Sequence, residues 1–288
     1  MNTRTLFAVV ALGALSLTAP ALYAQSSWEN PVKVSLREGK PVIGLTVTIP
    51  SSDVVVQAAR LGFDFVWIEM EHSPITLETV HNMILATKGE KLVPIVRVPV
   101  NELWTAKRVM DSGALGVIFP FTNNVQLARR AVAACKYPPL GDRGSGPLLA
   151  TLRWPAPGGY GDFADQNIMV IVIIERKEAV DQIEEIASVP GIDVLFIGPN
   201  DLSHSYGFRG RLEPPVQEAI AKVVAAGKRH NVPLGRVATS PGDVAEFIKQ
   251  GFTFFQADSE LNQMATGARP LLDAFGKKAV DPKSRPMY

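Results

Sequence analysis

The chain alternates short apolar runs with amphipathic segments from about residue 41 onward. Eight of the apolar runs are rich in β-branched or aromatic residues, which is typical of strands. They are residues 43–50 (trimmed at Pro50), 64–70, 92–98, 115–120, 168–175, 193–198, 233–238 and 252–257. Several are apolar at every position, as expected for parallel strands that are covered on both faces. The pattern therefore predicts eight buried parallel strands.

The segments between these strands have the periodicity and the end signals of helices. Residues 51–63 begin with Ser and Asp at capping positions, and residues 240–252 place Gly251 at a C-cap position. Strict alternation of eight strands with helices predicts an α/β fold, a single (β/α)8 barrel over residues 30–275. The alternative is a doubly wound sheet. That fold is expected to carry a Gly-rich turn after its first strand, where this chain has TIPSSD.

The connection before the fifth strand, residues 136–167, is far longer than the usual link and is rich in Gly and Pro. Its aromatic residues, Tyr137, Trp154, Tyr160 and Phe163, favour a packed loop over a disordered one. We interpret it as a long functional loop of the barrel.

Residues 1–24 have the anatomy of a signal peptide. Arg4 precedes an apolar run from Leu6 to about Leu17, which is shorter than the roughly 20 residues that a membrane-spanning helix needs. We predict cleavage near Ala24 or Ala21, export to the periplasm, and no membrane association of the processed chain. Residues 276–288 are predicted to form a loose C-terminal tail.

Composition narrows the class of partner. Hydrophobic residues make up 47% of the chain, its net charge is +1, and no basic stripe is present, so nucleic acid is not an expected partner. The single cysteine, Cys135, lies in an apolar helical stretch and is predicted to be a small buried hydrophobic residue.

Two carboxylates follow apolar strands at the end of the barrel where active sites form. Glu175 follows IMVIVII, and Asp201 closes FIGPND. A carboxylate in such a place needs compensation, which a Mg²⁺, Mn²⁺ or Co²⁺ ion could supply. The alternatives are solvent exposure or a salt bridge to Arg176, Arg97 or Arg143.

Other polar residues follow the predicted strands. His72, after strand two and near Glu69 and Glu71, is a candidate acid or base, or else a hydrogen-bonded loop residue. Arg97, at the end of strand three, suits an enolate oxygen or a carboxylate, or else a structural ion pair. The other histidines, His81, His204 and His230, are predicted to be helix-surface or loop residues.

Six strings in the same order resemble the HpcH/HpaI family of class II pyruvate-type aldolases. They are GFDFVWIEMEHSP, PIVRVP, VMDSGALGVIFP, YPPLGDRGSG, the Glu after strand five, and VPGIDVLFIGPNDLS. The similarity extends from about Gly44 to Leu272. It implies a (β/α)8 barrel, a divalent metal ion, an oxo-acid substrate, and a homo-oligomer, trimeric or hexameric, in which C-terminal helices are exchanged.

The resemblance also implies roles for residues. Glu175 and Asp201 would bind the metal, and the backbone of Gly198, Pro199 and Asn200 would hold the substrate carboxylate. The resemblance further implies that His72 is the acid/base residue, that Asp111 orients it, and that Arg97 stabilises the enolate. The other electron sink for this chemistry is a Lys Schiff base. Strand six ends without a lysine, and Lys177 is predicted to be a surface residue at a helix start.

This chain departs from the family pattern at three positions. Glu69 stands where Asp is usual, Ile173 where Gln is usual, and Asn200 where Ala is usual. Glu69 extends its charge by one methylene, Asn200 adds a donor beside Asp201, and Ile173 removes a polar group expected near the oxo acid. These changes would alter the surroundings of the metal and the range of substrates.

The leading hypothesis is a metal-dependent aldolase that cleaves a 4-hydroxy-2-oxo acid to pyruvate, or a related 2-oxo acid, and an aldehyde. A metal chelated by the 2-oxo acid would provide the electron sink. Two alternatives are an exported barrel that binds an oxo acid without turnover, and a CoA-ester lyase of the citrate lyase β-subunit type. The strings EMEH and YPPLGDRGSG fit the second alternative less well.

Overall fold

The eight predicted strands are confirmed in a computed structural model, which describes residues 28–154 and 156–279. The strands are β1 (Val42–Val47), β2 (Phe65–Glu69), β3 (Val93–Arg97), β4 (Gly116–Phe119), β5 (Met169–Ile174), β6 (Val194–Ile197), β7 (Leu234–Val237) and β8 (Phe252–Ser259). Each pairs in parallel with the next, and β8 pairs with β1, so the sheet closes into a barrel. The chain is a (β/α)8 barrel.

Helices follow the strands around the outside of the barrel. They are α1 (Pro31–Arg37), α2 (Ser52–Leu61), α3 (Leu77–Ala86), α4 (Leu103–Asp111), α5 (Val125–Cys135), α6 (Leu148–Arg153), α7 (Tyr160–Asn167), α8 (Lys177–Asp181), α9 (Ile183–Ala187), α10 (Pro199–Ser205), α11 (Pro214–His230), α12 (Pro241–Gln250) and α13 (Glu260–Ala274). The capping signals of α12 act as predicted, since it begins with a capping box at Ser240 and ends at Gly251 with a φ of 101°. Ser51 is the N-cap residue of α2, but its side chain makes no capping hydrogen bond.

Aromatic side chains fill the interior of the barrel. The rings of Phe65 and Phe254 stack with centroids 4.4 Å apart, and Phe196 meets Phe254 edge to face. A Cβ on Gly44 would lie 2.1 Å from the ring of Phe65, and one on Gly235 would lie 2.6 Å from that of Phe196. Glycine at these two strand positions makes room for the rings, so the barrel has a packed floor beneath its carboxyl end.

The amino-terminal end of the barrel is closed by a segment that the pattern did not predict. Asn30 precedes α1 and is fully buried. Its amide nitrogen donates to the carbonyl oxygens of Leu115 at 3.3 Å and Asn167 at 2.9 Å, and its backbone N–H donates to Oδ1 of Asn167 at 2.7 Å. These bonds join the segment before β1 to the starts of β4 and β5.

The long connection before β5 is packed, as its aromatic residues predicted, but it contains two short helices, α6 and α7. The indole N–H of Trp154 donates to the carbonyl of Gly113 at 2.7 Å. The Arg153 guanidinium donates to the carbonyl of Thr87 at 2.6 Å and stacks on the Trp154 ring. These contacts hold the connection against the ends of α3 and α4.

Two predicted segments lie largely or wholly outside the described residues. The proposed signal peptide, residues 1–24, is outside them, and so are residues 280–288 of the predicted tail. Export to the periplasm therefore stays a prediction. In the described part of the chain, no helix has the length and apolar character to cross a membrane. Cys135 is buried at the end of α5, as predicted.

Candidate active site

Glu175 is the first residue after β5 and is 1% exposed. Its Oε1 atom accepts a hydrogen bond of 2.6 Å from the backbone N–H of Phe121, which follows β4. Phe121 has a φ of 49°, in the left-handed region that non-glycine residues rarely adopt. The turn after β4 thus fixes one oxygen of Glu175, and the other, Oε2, lies 3.7 Å from Nη2 of Arg97.

Asp201 lies in the first turn of α10, which begins directly after β6. The turn approaches β5 closely, since a Cβ on Gly198 would lie 3.0 Å from Cβ of Glu175 and 3.3 Å from its Oε2. Pro199 suits the first helical position because it needs no N–H partner there. Glu175 and Asp201 line one cavity of about 290 Å³, together with Trp67, Arg97, Ile173, Phe196, Gly198, Pro199, Asn200, Val237 and Gln256.

Arg97, the last residue of β3, is the cation of the site. Its side chain is 11% exposed, and its guanidinium lies 2.5 Å from Oε2 of Glu71 and 3.4 Å from Oε2 of Glu69. Its Nη2 is also 3.7 Å from Oε2 of Glu175. The structural ion-pair interpretation of Arg97 is therefore confirmed, and its role toward an enolate or a carboxylate stays a prediction for a residue that also lines the cavity.

Glu69, the last residue of β2, organises the turn that follows. Its Oε1 accepts hydrogen bonds from the N–H groups of Glu71 at 2.7 Å and His72 at 3.1 Å. Its Oε2 accepts from the indole N–H of Trp67 at 3.1 Å. The hydroxyl of Ser73 donates to its carbonyl oxygen. Glu69 therefore shapes the loop that carries His72 and Glu71.

The site has an excess of negative charge. The carboxylates of Glu69, Glu71, Glu175 and Asp201 surround one guanidinium, that of Arg97. Burial raises the pKa of Glu175 to about 7, against the lowering effects of the Phe121 N–H and of Arg97. Burial also raises the pKa of Glu71 to about 7, and the charges of Glu69 and Asp201 add to that rise.

A divalent cation fits this donor set. Mg²⁺ is commonly held by one or two carboxylates, with waters or substrate oxygens completing its shell. Glu175 and Asp201 supply two such carboxylates on a cavity wall, and a cation there would offset the charge excess. The described residues contain no cluster of three or more His, Cys, Asp or Glu side chains arranged for a metal. Substrate or water would have to complete the shell of an ion held there.

The structure brings some predicted residues together and separates others. The side chain of His72 is 64% exposed and is not among the residues that line the cavity, and its Nε2 lies 3.7 Å from Oε1 of Glu71. Asp111 ends α4, which runs back toward the amino-terminal side of the barrel, and there it accepts a 2.9 Å hydrogen bond from Arg143. Within one chain, Asp111 therefore does not orient His72, and Arg143 is not the partner of Glu175.

The structure also places the lysine and the other histidines that the sequence analysis considered. Lys177 is an exposed residue at the start of α8, as predicted. His204 lies in α10, not in a loop, and its Nδ1 is 2.9 Å from the carbonyl oxygen of Asn200. His81 lies in α3 but is half-buried, and His230 at the end of α11 pairs with Glu184 at 3.0 Å.

The pattern of polar residues at strand ends does not predict the residues on the inner walls of the cavity. Trp67, Phe196, Val237 and Gln256 line it. A usable signal was present, because side chains two apart on a strand share a face. Trp67 lies two residues before Glu69, and spacing from that inward carboxylate would have placed it on the inner face.

A (β/α)8 barrel whose charged side chains converge at the carboxyl end of its strands has the arrangement of a barrel enzyme. The chain belongs to the HpcH/HpaI aldolase/citrate lyase family, whose model matches residues 43–266. It is 35% identical over 247 residues to 2-dehydro-3,6-dideoxy-6-sulfogluconate aldolase from Pseudomonas putida, covering 85% of this chain and 96% of that one. That relative is an aldolase by name.

Two further relatives support membership of the same family. A 5-keto-4-deoxy-D-glucarate aldolase from Enterobacter sp. (strain 638) is 32% identical over 249 residues, covering 86% of this chain and 97% of that one. The crystal structure of an HpcH/HpaI aldolase/citrate lyase family protein from Burkholderia cenocepacia J2315 superimposes with a TM-score of 0.79. That protein is 30% identical, and the match covers 86% of this chain and 100% of the other.

Proposed function

We propose that this chain is a divalent-metal-dependent aldolase that cleaves a 4-hydroxy-2-oxo acid to pyruvate, or a related 2-oxo acid, and an aldehyde. The observation that carries the proposal is the shared cavity of Glu175, Asp201 and Arg97, where carboxylates outnumber the cation. The two curated relatives named above are both aldolases of deoxy sugar acids by name, which supports this class of substrate.

The charged residues of the cavity and the turn after β6 then have parts in the reaction. Glu175 and Asp201 would hold the ion, which supplies an electron sink for the bond that breaks. Arg97 would place positive charge beside the oxygen on which negative charge develops. The backbone from Gly198 to Asn200 would position the substrate carboxylate against the same wall.

Retro-aldol cleavage also requires a base that removes the proton of the C4 hydroxyl. His72 is exposed, is not among the residues that line the cavity, and is held by its backbone N–H to Glu69. We propose that it takes this proton directly or through a water molecule. Among the described residues that line the cavity none is a lysine, so none of them could form a Schiff base.

The proposed function is tested by pyruvate release. The protein, loaded with Mn²⁺ or Mg²⁺, is expected to release pyruvate from 4-hydroxy-2-oxo acids in an assay coupled to lactate dehydrogenase. EDTA should abolish the release, and the metal should restore it. A metal-loaded protein that binds oxalate in calorimetry but cleaves none of these acids would contradict the proposal and favour the exported binding barrel.

We also propose that the chain forms a homo-oligomer, trimeric or hexameric. Neither α12 nor α13 contains a buried residue. The large apolar side chains exposed on and directly after α13 recur at helical spacing and are Leu261, Met264, Leu271, Leu272 and Phe275. An unburied apolar face of this extent marks a contact surface. The occupant that we propose is a second copy of this chain.

A charge on that face should dissociate the assembly. We expect Leu271→Glu to convert the trimer or hexamer to smaller species, measured by analytical ultracentrifugation, because a carboxylate cannot be buried there without a partner. Thr266→Glu adds the same side chain to the opposite side of α13 and should leave the assembly intact. A monomeric wild-type protein at micromolar concentration would show the proposal to be wrong.

A further inference from the structure

Gln256 lies in β8 and is half-buried on the wall of the active-site cavity. It lies on a different part of the wall from Glu175 and Asp201, which follow β5 and β6. Its Nε2 lies 2.8 Å from the hydroxyl oxygen of Thr46 on the neighbouring strand β1. No step of the proposed reaction uses this amide.

The contacts of Thr46 fix which way the amide points. The Thr46 hydroxyl has one proton, and it donates that proton to the carbonyl of Ala257 at 3.0 Å. Thr46 must therefore accept the bond from Gln256, so the nitrogen of the amide faces Thr46. The Oε1 atom of Gln256 is on the other side, and within the described residues no side chain or backbone N–H donates to it.

Several residues that line the cavity have no free donor for this acceptor, and the two that carry one, Arg97 and Asn200, form no hydrogen bond with it. Ile173, Phe196 and Val237 are apolar, and the indole N–H of Trp67 is already bound to Glu69. An acceptor in an apolar wall binds a ligand that brings a donor better than one that leaves it unpaired. The chemical group that meets this need is a hydroxyl.

We propose that Gln256 determines specificity by accepting a hydrogen bond from a hydroxyl in the aldehyde half of the substrate, with Thr46 as its positioning residue. This inference rests on the proposed function. If Glu175 and Asp201 hold the oxo-acid half, the wall formed by β8 and β1 is left to the other half. The substrate class is then an oxo acid that carries a hydroxyl beyond the one at C4, as a sugar acid does.

The experiment uses the reaction in the direction of synthesis with a matched pair of aldehydes. Pyruvate is added to glycolaldehyde or to propanal, in which a methyl group replaces the hydroxyl. C3 of pyruvate loses a proton and bonds to the carbonyl carbon, and the aldehyde oxygen gains a proton, so no oxidant is needed. The readout is the ratio of kcat/KM for glycolaldehyde to that for propanal, measured on the metal-loaded full chain.

Wild type is expected to favour glycolaldehyde, and Gln256→Leu should lower the ratio by about tenfold or more. Thr46→Val should lower it without touching Gln256, and Thr46→Ser should retain it, because serine keeps the hydroxyl. Gln57→Leu, an exposed change on α2, should keep the wild-type ratio.

The outcomes separate the two claims. Product from both aldehydes with a ratio that neither Gln256→Leu nor Thr46→Val changes would overturn this inference and leave the aldolase intact. A wild type without preference for glycolaldehyde would do the same. No metal-dependent product from either aldehyde would overturn the proposed function, and this inference with it. If Gln256→Leu fails to fold, the pair Thr46→Val and Thr46→Ser decides.

Discussion

Glu175→Gln is expected to lower kcat for pyruvate release by about 1000-fold, with a matching loss of metal affinity. Removing one of the two proposed carboxylate ligands would take away several kcal/mol of stabilisation from the ion and from the developing charge, and each ~1.4 kcal/mol is tenfold in rate. The variant should fold, because the amide oxygen of Gln can still accept from the N–H of Phe121. Coupled pyruvate release and calorimetry with Mn²⁺ measure the two effects.

The matched control is Glu178→Gln. Glu178 lies three residues further on, on the exposed surface of α8, and the same change there should leave both quantities near the wild-type values. Glu175→Gln with wild-type affinity for Mn²⁺ would show that the ion does not bind at this carboxylate.

Arg97→Met is expected to lower the free energy of unfolding of the metal-free protein by about 3 kcal/mol. Arg97 contacts the carboxylates of Glu69, Glu71 and Glu175, and removing one partner of a buried ion pair leaves the other charge uncompensated. Met keeps much of the apolar stem of the Arg side chain, so the loss in unfolding free energy reflects the missing positive charge. Urea unfolding followed by circular dichroism measures it.

Arg37→Met serves as the control for this change. Arg37 pairs with Glu29 at 3.1 Å, but both side chains are largely exposed. Such a pair contributes little to stability, because water and salt screen it. Equal stability losses in the two variants would show that the carboxylates around Arg97 do not depend on it. Adding Mn²⁺ should reduce the loss in Arg97→Met, since a cation offsets the same negative charge.

The fold was predictable because each strand is a separate apolar run in the sequence. The run from Met169 to Ile174 is apolar at every position, and all six residues are buried in the structure. The carboxylates were found by the same logic, since Glu175 and Asp201 are polar residues where buried strands end. Sequence order alone places both at the carboxyl end of a barrel.

Other features depend on contacts that no local pattern encodes. Asp111 ends a helix, and its partner Arg143 lies 32 residues away in the long connection. The pairing of Gln256 with Thr46 spans 210 residues, and it exists because β8 closes on β1. Closure of a barrel joins its first and last strands, and only a three-dimensional structure shows which side chains then meet.

The seal around Asn30 lies at the amino-terminal end of the barrel, where β4 and β5 begin, and Glu175 and Asp201 follow strands at the other end. Because these two features lie at opposite ends of the barrel, substitutions at the amino-terminal end should raise thermal stability without changing the candidate active site at the carboxyl end. Stabilising substitutions around α1 should therefore not cause the loss of activity that often accompanies a gain in stability.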